Sequence, residues 1–173
     1  KLLGAEQAGL LAGKKRHIEA LKKEPLLRAL RIDKLSLAAL EGTLTEYATG
    51  SANETIPGWS MLHASAQQLQ DKAERTADCL HQIAACNWRI GVVKTSSLAG
   101  GGSLPGVELA GYGIEVEPSG QSAGSVAKQL RSGRIPIVCL VRDDALIFDV
   151  RCLLPGDEAI LAERLLQIAG NPA

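Results

Sequence analysis

The sequence predicts a mixed α/β chain whose C-terminal part is an α+β domain, a mixed or antiparallel sheet covered by helices. Three observations predict it. An amphipathic helix opens on the capping-box pair Ser65 and Gln68, two β-rich runs meet at Asp143-Asp144, and the elements beyond the Gly/Ser/Asn/Pro-rich stretch 49–58 follow the order αββαββα.

Taken from the start, Gly9-Leu10-Leu11-Ala12-Gly13 is an apolar run bounded by glycines and reads as a buried strand. Lys14-Lys15-Arg16 opens a helix to Lys23, and Pro25 starts another short helical turn. Leu37, Leu40, Leu44 and Tyr47 recur at spacings of three and four, which predicts a connector helix ending near Thr49-Gly50. The turn-forming residues 49–58 then mark a domain boundary.

Beyond the boundary, Leu69, Ala73, Ala77 and Leu80 line one face of a helix reaching about residue 85. Arg89 to Val93 reads as a strand and Val107 to Glu117 as an interrupted one, followed by a helix over 122–132 that Gly133 can stop. Ile135 to Val141 and Ala145 to Val150 form a hairpin. A last helix starts at Asp157 and ends at Gly170-Asn171-Pro172.

Composition narrows the function. The 173 residues carry 19 lysines and arginines against 19 aspartates and glutamates, so no global basic field favours nucleic acid, although a local basic patch remains open. Cys79, Cys86, Cys139 and Cys152 lack the close pairs of a zinc or redox motif and read as reduced, packed thiols. His17, His63 and His81 have no ligand or triad spacing, so no metal is expected. The run Gly100 to Gly106 lacks the lysine and helix entry of a nucleotide loop and reads as a strand connection. No stretch approaches the length of a membrane span, and no signal segment is present, which predicts a soluble, cytoplasmic protein.

Arg28, Arg31 and Lys34 follow at i, i+3 and i+6, which on one helix places three cations along one side. Guanidiniums one turn apart can grip an oxyanion with paired hydrogen bonds, while the plainer alternative is a solvated face with Asp33 and Glu24 nearby. Spacing alone leaves both open.

Lys1-Leu2-Leu3-Gly4, Gln7-Ala8-Gly9 and Gly13-Lys14-Lys15, continued in register by Pro25 to Leu35 and Leu37 to Glu41, resemble the active-site segment of bacterial selenocysteine synthases, the L-seryl-tRNA(Sec) selenium transferases. Ile56-Pro57, Met61-Leu62, Ala73-Glu74-Arg75, Gly101 to Pro105 and Asp149-Val150-Arg151 extend the likeness nearly to the C-terminus. The resemblance implies a fold-type-I pyridoxal 5'-phosphate enzyme. Residues 1–33 would close its large cofactor domain, 34–58 would form the connector helix and linker, and 59–173 the small domain.

By the same resemblance, Lys1 holds the cofactor aldehyde as a Schiff base and is the catalytic residue, while Arg28 and Arg31 bind the oxyanion of selenophosphate. Seryl-tRNA(Sec) would pass through a dehydroalanyl intermediate and accept selenium, in a homo-oligomer. The start at Lys1, without methionine, reads as the C-terminal portion of a longer protein, and this portion is expected to be inactive by itself. Three departures stand against the family pattern: Gly4-Ala5-Glu6-Gln7 for Gly-Gly-Pro-Gln, Leu140 for an arginine, and Ala110-Gly111 for Pro-Ser. The Leu140 and Ala110-Gly111 departures motivate a related lyase acting on a small amino acid as an alternative; a non-catalytic assembly module is a third reading.

Overall fold

The computed structural model describes residues 2–83, 87–100 and 106–170. The chain divides into two compact units, Lys1–His63 and Ala64–Ala173.

The first unit is helical among its described residues: α1 (Lys15–Leu21), α2 (Leu27–Leu30), α3 (Lys34–Thr49), α4 (Ala52–Thr55) and α5 (Pro57–His63). The expected α3 is present. Asp33 caps it by accepting from Leu35 N at 2.8 Å and Ser36 N at 3.0 Å, and Gly50 ends it at a φ of 84°, where a side chain would be strained. Of its apolar face only Leu40 is buried.

Two expectations change here. Residues 9–13 form no strand, and Leu10 and Leu11 are 59% and 75% exposed, because no neighbouring strand in the described residues accepts their backbone groups. The stretch 49–58 is not a plain linker either. Ser51 and Pro57 permit two short helices, and Glu46 binds Ser51 Oγ (2.6 Å) and Thr55 Oγ1 (2.9 Å), folding α4 back on the end of α3.

The second unit follows the αββαββα order: α6 (Ala66–Ile83), β1 (Arg89–Leu98), β2 (Glu108–Glu117), α7 (Ala123–Arg131), β3 (Leu140–Arg142), β4 (Ala145–Asp149), a 3-10 turn at Val150–Cys152, and α8 (Asp157–Gly170). The capping box is made in both directions, Ser65 N donating to Gln68 Oε1 at 2.8 Å and Gln68 N to Ser65 Oγ at 3.2 Å.

All strand pairs are antiparallel in the order β1-β2-β4-β3. Leu69, Ala73, Ala77 and Leu80 of α6 share a core with Ile114 and Val116 of β2, Leu130 of α7, Leu146 and Phe148 of β4, and Leu161 and Leu165 of α8. The strand expected at Arg89 to Val93 runs on to Leu98, and the interrupted one expected over Val107 to Glu117 is continuous from Glu108, since each pairs the other along ten residues. The first hairpin arm is shorter than expected: only Leu140–Arg142 pairs with β4, and before it Ile137 N donates to Leu130 O of α7 at 3.0 Å.

Asp143 and Asp144 turn the hairpin with φ of 51° and 56°, as a two-residue turn of the primed kind requires. Asp144 Oδ1 also accepts from Ala123 N at 2.9 Å, which fixes the start of α7.

Candidate functional site

The sequence places its candidate chemistry in the first unit, where Lys1 lies outside the described residues. The segment that follows it is anchored. Tyr47, near the end of α3, donates its hydroxyl to Leu3 O at 3.0 Å, and its ring meets Trp59 edge-on with centroids 5.0 Å apart. Trp59 stacks at 4.0 Å on His63, whose Nδ1 lies 3.0 Å from Trp59 O.

Gly4 adopts a φ of +76°, and a Cβ built on it would stand 2.4 Å from Ile56 Cγ2, so glycine is the residue that lets this turn seat on the buried Ile56. Thus two independent contacts, one polar and one steric, hold the main chain two and three residues beyond Lys1. A residue whose side chain must meet a bound group in one geometry needs such a fixed base.

Arg28 and Arg31 do not share one long helix with Lys34. Arg28 sits in α2, Arg31 is its C-cap with extended backbone (φ −66°, ψ 137°), Asp33 caps the next helix and Lys34 begins it. The Asp33 cap breaks the row of cations, because an N-cap needs non-helical backbone. Arg28 and Arg31 thus lie in α2 and at its C-terminal end, whereas Lys34 belongs to the following helix.

The plainer reading made these arginines part of a solvated face with Asp33 and Glu24 nearby. Asp33 is committed elsewhere. Its carboxylate takes the Ser36 hydroxyl at 2.6 Å besides the two backbone amides, and the Ser36 side chain, followed by the Ser36 amide, holds its pKa below the ordinary value. Among the described residues neither guanidinium has a hydrogen bond or ion pair, and the ion pair of this unit is Lys22–Glu19 at 3.1 Å. Exposed Leu26, Leu27 and Leu30, the last at 72%, flank them. Two unpaired cations set among exposed leucines can bind an anion that is partly shielded from water.

The second unit resolves the other motifs. Asp149-Val150-Arg151 has a structural role: Asp149 accepts from Arg151 N at 2.9 Å and from the Ser97 hydroxyl, while Arg151, 7% exposed, donates Nη2 to Ala110 O at 2.7 Å. One buried arginine thereby ties the end of β4 to β2. Leu140 lies on the edge strand β3, 66% exposed. Cys139 is half-buried against the core and burial raises its pKa, so it packs as a thiol; burial, then the Asp149 charge, raises that of Cys152. Gly101 to Pro105 and Cys86 lie outside the described residues.

Sequence reasoning counted Tyr47 as one more apolar residue of α3 and missed its hydroxyl bond. The available signal was its type, since a tyrosine on an otherwise leucine face brings a polar tip that needs a partner. No helix among the described residues is long and apolar enough to cross a membrane.

Comparison with known proteins adds the following. The family model for L-seryl-tRNA selenium transferase matches residues 1–154. The chain is 42% identical over 170 residues to the L-seryl-tRNA(Sec) selenium transferase of Caldanaerobacter subterraneus subsp. tengcongensis, covering 98% of this chain and 36% of that protein. It is 41% identical over 168 residues to that of Moorella thermoacetica and 40% identical over 168 residues to that of Aquifex aeolicus, covering 96% and 97% of this chain and 36% of each relative. It therefore spans little more than a third of the length of these relatives. Among solved structures, a D-glucosaminate-6-phosphate ammonia-lyase aligns with a TM-score of 0.49 and 27% identity, over 91% of this chain and 38% of that one.

Proposed function

The chain belongs to the L-seryl-tRNA selenium transferase family, and on that premise we propose that it is the part of such an enzyme that carries the cofactor lysine and the selenium-donor site. The reaction proposed is conversion of L-seryl-tRNA(Sec) to selenocysteinyl-tRNA(Sec) with selenophosphate, by a longer polypeptide acting as a cytoplasmic homo-oligomer.

Pyridoxal phosphate fits the residues present. Lys1, the lysine that the family motif singles out, would hold the cofactor aldehyde covalently, and the Tyr47 and Gly4 contacts fix the chain two and three residues after it. When bound, the cofactor acts as an electron sink that makes the α-proton and β-hydroxyl of a seryl group removable. The other tasks fall to this chain. The Lys1 amine, once free, would take and return a proton at the substrate α-carbon, and the arginines at the α2–α3 bend bind and orient the donor's oxyanion.

The observation that carries the reading is that Arg28 and Arg31 have no hydrogen bond or ion pair among the described residues, while the carboxylate of Asp33, close by in sequence, is held by its own helix cap. Two charge-assisted bonds to an oxyanion are each worth about 1.5–3 kcal/mol. In the longest natural version of the protein, Arg28→Ala and Arg31→Ala should each raise the KM for selenophosphate about tenfold or more, while labelling by pyridoxal phosphate and borohydride persists on the Lys1 peptide. Unchanged selenium transfer by both variants refutes the donor site. Absence of label on Lys1 refutes the cofactor assignment.

A further inference from the structure

The chain is neutral overall, yet one edge of the second unit is not. Lys128 and Arg131 lie in the last turn of α7, Arg134 follows three residues later, and Arg164 reaches across from α8 to donate Nη2 to Gln129 O at 2.9 Å. Lys128, Arg131 and Arg134 are exposed, and among the described residues their side chains have no hydrogen bond or ion pair.

Complementing the helix macrodipole accounts for cations in the last turn of α7, but not for Arg134, which lies beyond the helix, nor for Arg164, in the middle of α8. Arg134 and Arg164 instead border a depression of about 170 Å3 together with Ile135, Ile160, Glu163 and Gln167. Glu163, the carboxylate there, accepts from Gln167 Nε2 at 3.1 Å and pairs with none of these cations.

Arg164 itself is held rigid. Its Nη1 meets Gln167 Oε1 at 3.1 Å, and its buried Nε, which has no acceptor among the described residues, lies 3.0 Å from the position a Cβ on Gly133 would take. A fixed guanidinium with three cations unpaired among the described residues, two in the last turn of α7 and one just beyond it, matches the successive charges of a phosphodiester chain better than a single small anion.

We propose that this α7–α8 edge is a binding surface for the sugar-phosphate backbone of structured RNA, with Lys128, Arg131 and Arg134 as the contacting groups and Arg164 as their fixed anchor. The choice of RNA over another polyanion rests on the transferase reading above. The contacts are to phosphates, so they position the RNA without reading its sequence.

The test is fluorescence anisotropy with a labelled RNA duplex of about 16 base pairs, titrated with the full 173-residue chain at several salt concentrations. Lys128→Glu/Arg131→Glu/Arg134→Glu should weaken binding at least about tenfold at low salt and lower the slope of log K against log salt by about 2 to 3. Lys94→Glu, an exposed cation on β1, should stay within about twofold of the parent. Circular dichroism establishes that each variant is folded. No measurable RNA binding by the parent, or a folded triple variant with the parent's affinity and slope, overturns the proposal, as does binding to anionic vesicles but not to RNA. Lys1 labelling and the Arg28 and Arg31 kinetics test the transferase reading separately, so either idea can fail alone.

Discussion

Replacing Gly4 with alanine should destabilise the first unit by about 2–5 kcal/mol. The backbone share follows from the φ of +76°, since the left-handed conformation costs an ordinary L-residue about 1–2 kcal/mol. The steric share follows from the 2.4 Å approach of the new Cβ to Ile56 Cγ2, well inside contact distance, and forcing such an overlap against a buried side chain costs about 1–3 kcal/mol. Ile56→Ala removes the clashing methyl, so the Gly4→Ala/Ile56→Ala double variant should be less destabilised than the sum of the singles by that steric share. Urea unfolding followed by Trp59 fluorescence reports on this unit, because Trp59 stacks against Tyr47 within it; a Trp88→Phe background silences the tryptophan of the second unit. A Gly4→Ala loss below about 0.5 kcal/mol would refute the account of the anchor, and a large loss with strictly additive singles would leave the backbone conformation as its whole cause.

Gly111→Ala should destabilise the second unit by about 1 kcal/mol or more, as the added Cβ would stand 3.3 Å from Thr95 Oγ1 and 3.4 Å from the Nη2 of Arg151, which is held on Ala110 O. An unchanged or higher thermal midpoint for the variant would count against that geometry. Glu46→Gln should matter near neutral pH and much less in acid. The Ser51 hydroxyl, then the Thr55 hydroxyl, lowers the Glu46 pKa, so its carboxylate contributes stability above the unfolded glutamate value of about 4.3, which is lost as pH falls through the lowered folded value. Parallel pH–stability curves for the two proteins below neutrality would contradict it.

Parts of the fold legible in the sequence were those fixed by local chemistry. The Ser65–Gln68 box, the Asp33 cap with Gly50 at the other end of α3, the paired aspartates of the hairpin turn and the spaced apolar residues of α6 all act within a few residues of themselves. Neighbours in space decided the rest. Ile135 to Cys139 has the composition of a strand, but ladder pairing with β4 begins only at Leu140; Leu10 and Leu11 likewise have no strand beside them among the described residues. The α2–α3 bend was partly visible, since Asp33 is a good N-cap, yet the i, i+3, i+6 spacing suggested one continuous face.

For the candidate site, the sequence by itself determined the family and which residues could bear the chemistry: a lysine opening a specific motif, two arginines one turn apart, and the Asp149-Val150-Arg151 signature. Tertiary structure decided what those residues are free to do. It committed Asp33 to a cap and left Arg28 and Arg31 without a partner among the described residues, turned Arg151 into a brace between strands, and drew Tyr47 onto Leu3 across 44 residues of sequence. The physical reason is that a charged or polar side chain acts on whatever lies within about 3 Å of it, and sequence spacing fixes that distance only inside a turn or a helix.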